Sequence, residues 1–201
     1  MSRDYLSNLI FGATFLNLTI VGICTLDLCC TFLTVVRLGA VICNLSMGII
    51  LIFNNRSKAE SSPLYKPYWL GMIVCNIIAV KMVDISYPAI SISSLIYLAG
   101  VVIVMTSLFS LGCSFAVTPM LSKIKTRYIY KLVRHPMYLG ESIMLLSCTI
   151  AGETMVSVLW FFLYMVMTLL RIQEEEKLLS QTEQYKRYSS NTRWRLIPYV
   201  W

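Results

Sequence analysis

Two clusters of ionisable side chains interrupt an otherwise apolar chain, and their spacing decides what chemistry they can do. The first is Arg134-His135-Pro136-Met137-Tyr138-Leu139-Gly140-Glu141, which holds the only histidine; the second is Arg171 followed by Glu174-Glu175-Glu176. Ionisable groups are costly to place beside a membrane, so two such clusters at the ends of one apolar stretch, 143–170, mark a candidate site. Pro136 suits the first turn of a helix, where a missing N–H costs nothing, and puts His135 at the cap. The free N–H groups of that turn make an anion site for a carboxylate or phosphate. The plainer reading is an interfacial histidine and an ordinary proline helix start. Tyr138 and Glu141, three residues apart, share a helix face. Glu141, one turn inside the membrane, requires a cavity, a partner or water. Arg171, Glu174 and Glu175 stand at i, i+3 and i+4 on one face, with Glu176 turned away. A solvated helix exit with an internal salt bridge of little net gain is the plainer reading there.

The elements that must position these clusters are membrane helices. Of the 201 residues, 57% are hydrophobic and 13% charged, where a soluble domain carries about 25% charged residues. The pattern predicts an all-α fold, a polytopic transmembrane helical bundle of about six helices, from apolar segments at 7–36, 39–53, 68–87, 90–113, 137–151 and 154–170. A spanning helix needs about 20 residues, so the second and fifth are short and four full spans is the alternative count. Turns are expected at 37–39, around Pro88 and at Gly152-Glu153, with polar loops at 54–66 and 114–135. The first apolar stretch lacks a signal-peptide cleavage pattern and reads as a retained helix.

Charge sets the expected orientation. With the N-terminus, 54–67, 114–135 and the tail on one side, all of the 17 basic residues except Arg37 and Lys81 fall on that side, which the positive-inside rule makes cytoplasmic, with an even number of spans. Helices five and six then form an antiparallel hairpin that brings His135 and Arg171/Glu175 side by side at the cytoplasmic face. The tail reads as an amphipathic helix from about 174 to 189, with Leu178, Leu179, Tyr185 and Tyr188 as its apolar positions, then a short extension. Tyr65, Tyr68, Trp69, Trp194, Tyr199 and Trp201 fit interfacial aromatic belts.

Other chemistries find little support. The net charge of +7 serves topology and anionic headgroups rather than nucleic acid. The seven cysteines (24, 29, 30, 43, 75, 113 and 148) lie in apolar stretches without CxxC spacing and read as small buried hydrophobes, with redox or metal roles the lesser reading. A single histidine does not suit a histidine-based metal site. Lys81 and Asp84 share a face and read as a neutralising pair. No GxGxxG, P-loop, HExxH or GxSxG motif occurs, so any cofactor is held without a Rossmann unit.

From 110 to 198 the chain resembles the isoprenylcysteine carboxyl methyltransferase family and its bacterial membrane relatives. The resemblance rests on Ser110-Leu111-Gly112-Cys113-Ser114-Phe115, then Tyr130-Lys131-Leu132-Val133-Arg134-His135-Pro136-Met137-Tyr138-Leu139-Gly140, then Arg171 with Glu174-Glu175-Glu176 and Leu179, then Gln184-Tyr185, Tyr188 and Ile197-Pro198. One departure is Arg127-Tyr128-Ile129, where the family has a small-residue turn. The resemblance divides the chain into N-terminal transmembrane helices (1–109) and a methyltransferase region (110–201). It implies S-adenosylmethionine bound at the cytoplasmic face, in a pocket made by the loop, the helix hairpin and the C-terminal tail. By position, His135, Pro136, Met137 and Tyr138 line that pocket, Tyr130 packs near the cofactor, Glu175 holds its polar end, and Ser122, Lys123, Ile124 and Lys125 give backbone contacts. Arg171 matches an arginine beside a substrate carboxylate.

The expected activity is methyl transfer to the carboxylate of a lipophilic substrate such as a prenylated cysteine, with the lipid part entering sideways between helices. A carboxylate acceptor is ionised at neutral pH and needs no base; an amine acceptor does, and Glu141 is placed for it. Phospholipid amine methylation is therefore the alternative. A membrane sterol-type reductase using NADPH, whose known members are longer, and a non-enzymatic membrane protein are the remaining ones. The expected partners are membrane lipids and a lipophilic or lipidated substrate.

Overall fold

In the computed structural model, residues 3–26, 31–53, 68–83, 87–112 and 126–201 are described. Among them are seven α-helices: α1 (Arg3–Cys24), α2 (Phe32–Ile52), α3 (Tyr68–Lys81), α4 (Ile92–Leu111), α5 (Pro136–Gly152), α6 (Met155–Leu179) and α7 (Glu183–Asn191). A 3-10 turn, Tyr128–Lys131, precedes α5. No strand forms among the described residues. Three helices, α2, α4 and α6, are long and apolar enough to cross a membrane. The bundle is all-α as expected, and its exposed surface is rich in Ile, Leu, Val and Phe, as a lipid-facing surface must be.

Local chemistry sets the helix starts. Ser91, Thr154 and Thr182 each accept a hydrogen bond from the backbone N–H three residues on, at 3.2, 3.2 and 3.3 Å, which satisfies one orphan donor of the first turn. Pro136 occupies the first turn of α5. Between α5 and α6 the left-handed residue is Glu153 (φ 47°), not Gly152. Gly152 is needed for a different reason, since a Cβ there would lie 3.1 Å from the Met82 carbonyl oxygen.

Three expected boundaries move. The segment 7–36 is not one helix, because α1 ends at Cys24 and Arg37 lies inside α2. Thirty helical residues would run about 45 Å, half again the hydrocarbon thickness, and the chain breaks earlier, with Arg37 reaching back to the Thr25 carbonyl. α3 stops at Lys81 rather than 87, and Phe32 N–H pairs instead with the Tyr87 carbonyl at 2.8 Å. α6 continues through the acidic run to Leu179, so the tail is not a helix from 174 to 189; it turns at Ser180–Thr182 and restarts as α7.

Packing is closest between α4 and α5 and between α1 and α2. The first contact depends on two glycines: a Cβ on Gly140 would lie 2.8 Å from the Gly100 carbonyl oxygen, and the converse distance is also 2.8 Å. Backbones meet there as small residues allow in membranes. α3 packs on α6, where Gly71 faces the Met167 thioether. The C-terminal segment closes the structure. Trp194 bridges to Val133, and Arg134 N–H and His135 N–H donate to the Trp194 and Arg195 carbonyls, both at 2.9 Å.

Candidate functional site

α5 begins where the 3-10 turn and the C-terminal segment meet, and α6 returns its polar end to the same place. His135, the residue before α5, is buried and its ring lies 5.8 Å from that of Tyr138 at 18°. The Tyr138 hydroxyl donates to Glu175 Oε1. Arg171 Nε donates to that same oxygen at 3.2 Å, and its guanidinium lies 5.2 Å over the Tyr138 ring. His135 Nδ1 stands 3.7 Å from Glu175 Oε2. Residues far apart in the chain, 135–138 and 171–175, thus form one contiguous polar cluster.

Glu176 is not turned away. Its Oε1 takes Arg134 Nη1 at 2.8 Å and the Tyr185 hydroxyl at 3.0 Å, with His135 Nε2 at 3.4 Å; its Oε2 takes Arg195 Nε at 2.7 Å. It joins α6, α7, the turn before α5 and the C-terminal segment. The reason lies in helix geometry: Thr168, Ile172 and Glu176 repeat every four residues on the buried face of α6. That spacing is the signal from which Glu176 can be found. Glu174 is half-buried beside it.

Tyr130 is buried in the 3-10 turn, and its carbonyl accepts the Tyr188 hydroxyl at 2.7 Å. Burial, then the neighbouring Tyr188 and Glu175, hold the Tyr130 phenol well above its usual range. Burial likewise pushes Tyr188 up to about 12. These phenols stay protonated, as hydrogen-bond donors, at any physiological pH. Tyr128, at the departure from the family's small-residue turn, adopts φ 54°, the left-handed region that a small residue enters more easily.

Below this cluster lies a cavity of about 410 Å³ between the helices. Its polar wall includes Tyr138, Glu141 and Arg171; Met137, Met144 and Leu145 are among its apolar lining. Glu141 is half-buried and accepts the Tyr164 hydroxyl at 3.1 Å. Tyr164 is fully buried on α6 and has no local sequence signal, because its partner is 23 residues away. Pro136 is buried and Met137 half-buried. Ser122 to Lys125 and Asp84 lie outside the described residues. Cys43, Cys75 and Cys148 are buried free thiols and Cys24 is exposed. Among the described residues no group of His, Cys, Asp and Glu could hold a metal.

A comparison with curated proteins gives no match. Three membrane-length apolar helices and an acid–base cluster over an apolar cavity describe an integral membrane protein, and the segment that builds the cluster, residues 89–187 from before α4 into α7, matches the family model of phospholipid methyltransferases.

Proposed function

We propose that the protein is an integral-membrane methyltransferase that moves a methyl group from S-adenosylmethionine to the amine headgroup of a lipid. One observation carries this reading: the polar wall of the apolar cavity holds a carboxylate, Glu141, beside the residues Tyr138 and Arg171 that tie the cavity to Glu175. The match to phospholipid methyltransferases over residues 89–187 supports it.

The residues present suit the cofactor. Glu175 offers a carboxylate for the ammonium of its methionyl end, and the stacked rings of His135 and Tyr138 offer flat surfaces for adenine and the sulfonium. Bound there, S-adenosylmethionine supplies a methyl group activated by positive sulfur, which leaves with the bonding pair while the acceptor nitrogen's lone pair forms the new bond. Such an in-line displacement needs positioning above all. Glu141 pairs with the acceptor ammonium and takes the proton that frees the lone pair. Tyr164 fixes the Glu141 carboxylate. Arg171, held by Glu175 and Tyr138, orients the anionic part of the headgroup. The cavity takes an acyl chain and keeps water from the reacting atoms. This reading places residues 110–201, loop 122–125 included, as the methyl-transferring region at the cytoplasmic face.

Methyl transfer to a lipophilic carboxylate, such as a prenylated cysteine, is the second reading, and Arg171 on the cavity wall favours it. Purified protein in vesicles with labelled S-adenosylmethionine and either an amine lipid or a prenylcysteine separates the two. Label in the amine lipid supports the first reading, and label in a base-labile ester of the prenylcysteine alone overturns it in favour of the second.

A further inference from the structure

Two uncharged polar residues outside the family match face the cavity that holds Glu141 and Arg171. Asn44 comes from α2 and Asn76 from α3, and both line the cavity. Each stands in a run that is otherwise strongly apolar, Val41-Ile42-Cys43 before Asn44 and Val74-Cys75 with Ile77-Ile78 around Asn76. A side-chain amide in the hydrocarbon region needs partners, since none come from lipid tails. Asn76 Nδ2 donates to the Met72 carbonyl of its own helix at 2.9 Å, which leaves its carbonyl oxygen and second N–H for the cavity. The Asn44 side chain is half-buried against the same space.

The register of the helices puts Asn44 level with the reacting corner and Asn76 deeper in the same cavity. α2 meets α4 at Gly39, against Tyr97 and Val101, and α4 meets α5 where Gly100 touches Gly140, one residue before Glu141. Asn44 lies five residues along α2 from Gly39. α3 runs antiparallel to α6 and meets it where Gly71 touches Met167, so Asn76, five residues further along α3, lies on the side of that contact away from Arg171. Asn44 therefore borders the space that a headgroup at Glu141 would occupy, and Asn76 lines the deeper part of the same cavity.

We infer that Asn44 and Asn76 determine specificity for the methyl acceptor, by hydrogen-bonding the phosphodiester oxygens of an amine-headed phospholipid whose ammonium faces Glu141. The inference rests on the amine reading of the proposed function and deepens it. Neutral amides suit this task, since they donate to phosphate oxygens without adding a charge to the membrane interior. The N-terminal helices then choose the lipid, and the region from α5 onward performs the transfer.

The test compares two acceptors in phosphatidylcholine vesicles: phosphatidylethanolamine and a long-chain primary amine that lacks phosphate. Methylation by the wild type, Asn44→Leu and Asn76→Leu is followed with labelled S-adenosylmethionine, alongside S-adenosylhomocysteine binding by calorimetry. The expected result is a KM for phosphatidylethanolamine raised about tenfold in each variant, with the KM for the simple amine and S-adenosylhomocysteine binding unchanged. An unchanged KM for phosphatidylethanolamine, or an equal rise for both acceptors, overturns the inference while leaving the proposed function standing. No methylation of either amine by the wild type overturns both. If a leucine variant loses S-adenosylhomocysteine binding, the alanine variant at the same position, which adds no bulk, is judged by the same outcomes.

Discussion

The Tyr138 hydroxyl and the Arg171 Nε converge on one oxygen, Oε1 of Glu175. That oxygen links the first turn of α5 to the polar end of α6, so under the proposed function the cofactor and acceptor sides of the site would share one anchor. Replacing the carboxylate by its amide keeps the shape and removes the charge. Glu175→Gln is expected to weaken S-adenosylhomocysteine binding by about tenfold or more, the loss of one charge-assisted hydrogen bond. Tyr138→Phe should weaken it less. Calorimetry giving wild-type affinity for both variants would remove the pair from the cofactor site.

Glu176 makes a different prediction because its partners are structural. It neutralises Arg134 and Arg195, at 2.8 and 2.7 Å, and takes the Tyr185 hydroxyl. Glu176→Ala leaves two guanidiniums crowded together in a partly buried place, at a cost of about 3 kcal/mol. The melting temperature in detergent should fall, and trypsin should cut α7, which carries exposed Lys186 and Arg187, sooner than in the wild type. Unaltered melting and cleavage would mean that the C-terminal segment is held by other contacts.

Glu141 separates the two acceptor chemistries. If the acceptor is an amine, Glu141→Gln removes the group that takes its proton, a contribution of about 10²–10⁴ in rate. The expected change is in kcat, with S-adenosylhomocysteine affinity within twofold of the wild type. Under the carboxylate reading Glu141→Gln leaves kcat near the wild-type value, since an ionised acid needs no base. Kinetics with both acceptors on the one variant therefore tests the role directly.

Much of this architecture is written locally, and the rest is not. Apolar runs identify α4, α5 and α6 because lipid demands continuous apolar surface, and Pro136 fixes the start of α5 to within one residue. The break between α1 and α2 is missed because Leu26, Leu28, Cys29 and Cys30 keep the segment from Thr25 to Thr31 apolar around a single charge, Asp27. The convergence of 135–138 with 171–175 follows from a short turn between two helices, a local fact. Glu176 is misjudged for a clear reason: faces counted from Arg171 point it outward, whereas faces counted from Thr168 and Ile172, which the core buries completely, point it in. Tyr164 and the cavity amides depend on helices packing from distant parts of the chain. Asn44 and Asn76 could have been singled out as polar residues in apolar runs; that they share a cavity could not.

Tyr188 gives a prediction in alkaline solution. Its hydroxyl donates to the Tyr130 carbonyl at 2.7 Å, and burial raises it to about 12 from an unfolded value of about 10. A group whose folded value is raised lends stability that is complete below the unfolded value and is lost as pH rises through the folded one. The contribution of Tyr188 is therefore full at pH 9 and declines between about pH 10 and 12. Tyr188→Phe removes the hydrogen bond, at a cost of about 1 kcal/mol, and with it this source of pH dependence. The wild type should melt above the variant at pH 9, and the gap should narrow as pH approaches 12. Tyr130 and Tyr185, also raised by burial, remain in both proteins, so both lose stability in alkali and only the difference between them reports on Tyr188. A gap that stays constant across that window would show that the Tyr188 hydroxyl is not desolvated against the Tyr130 carbonyl.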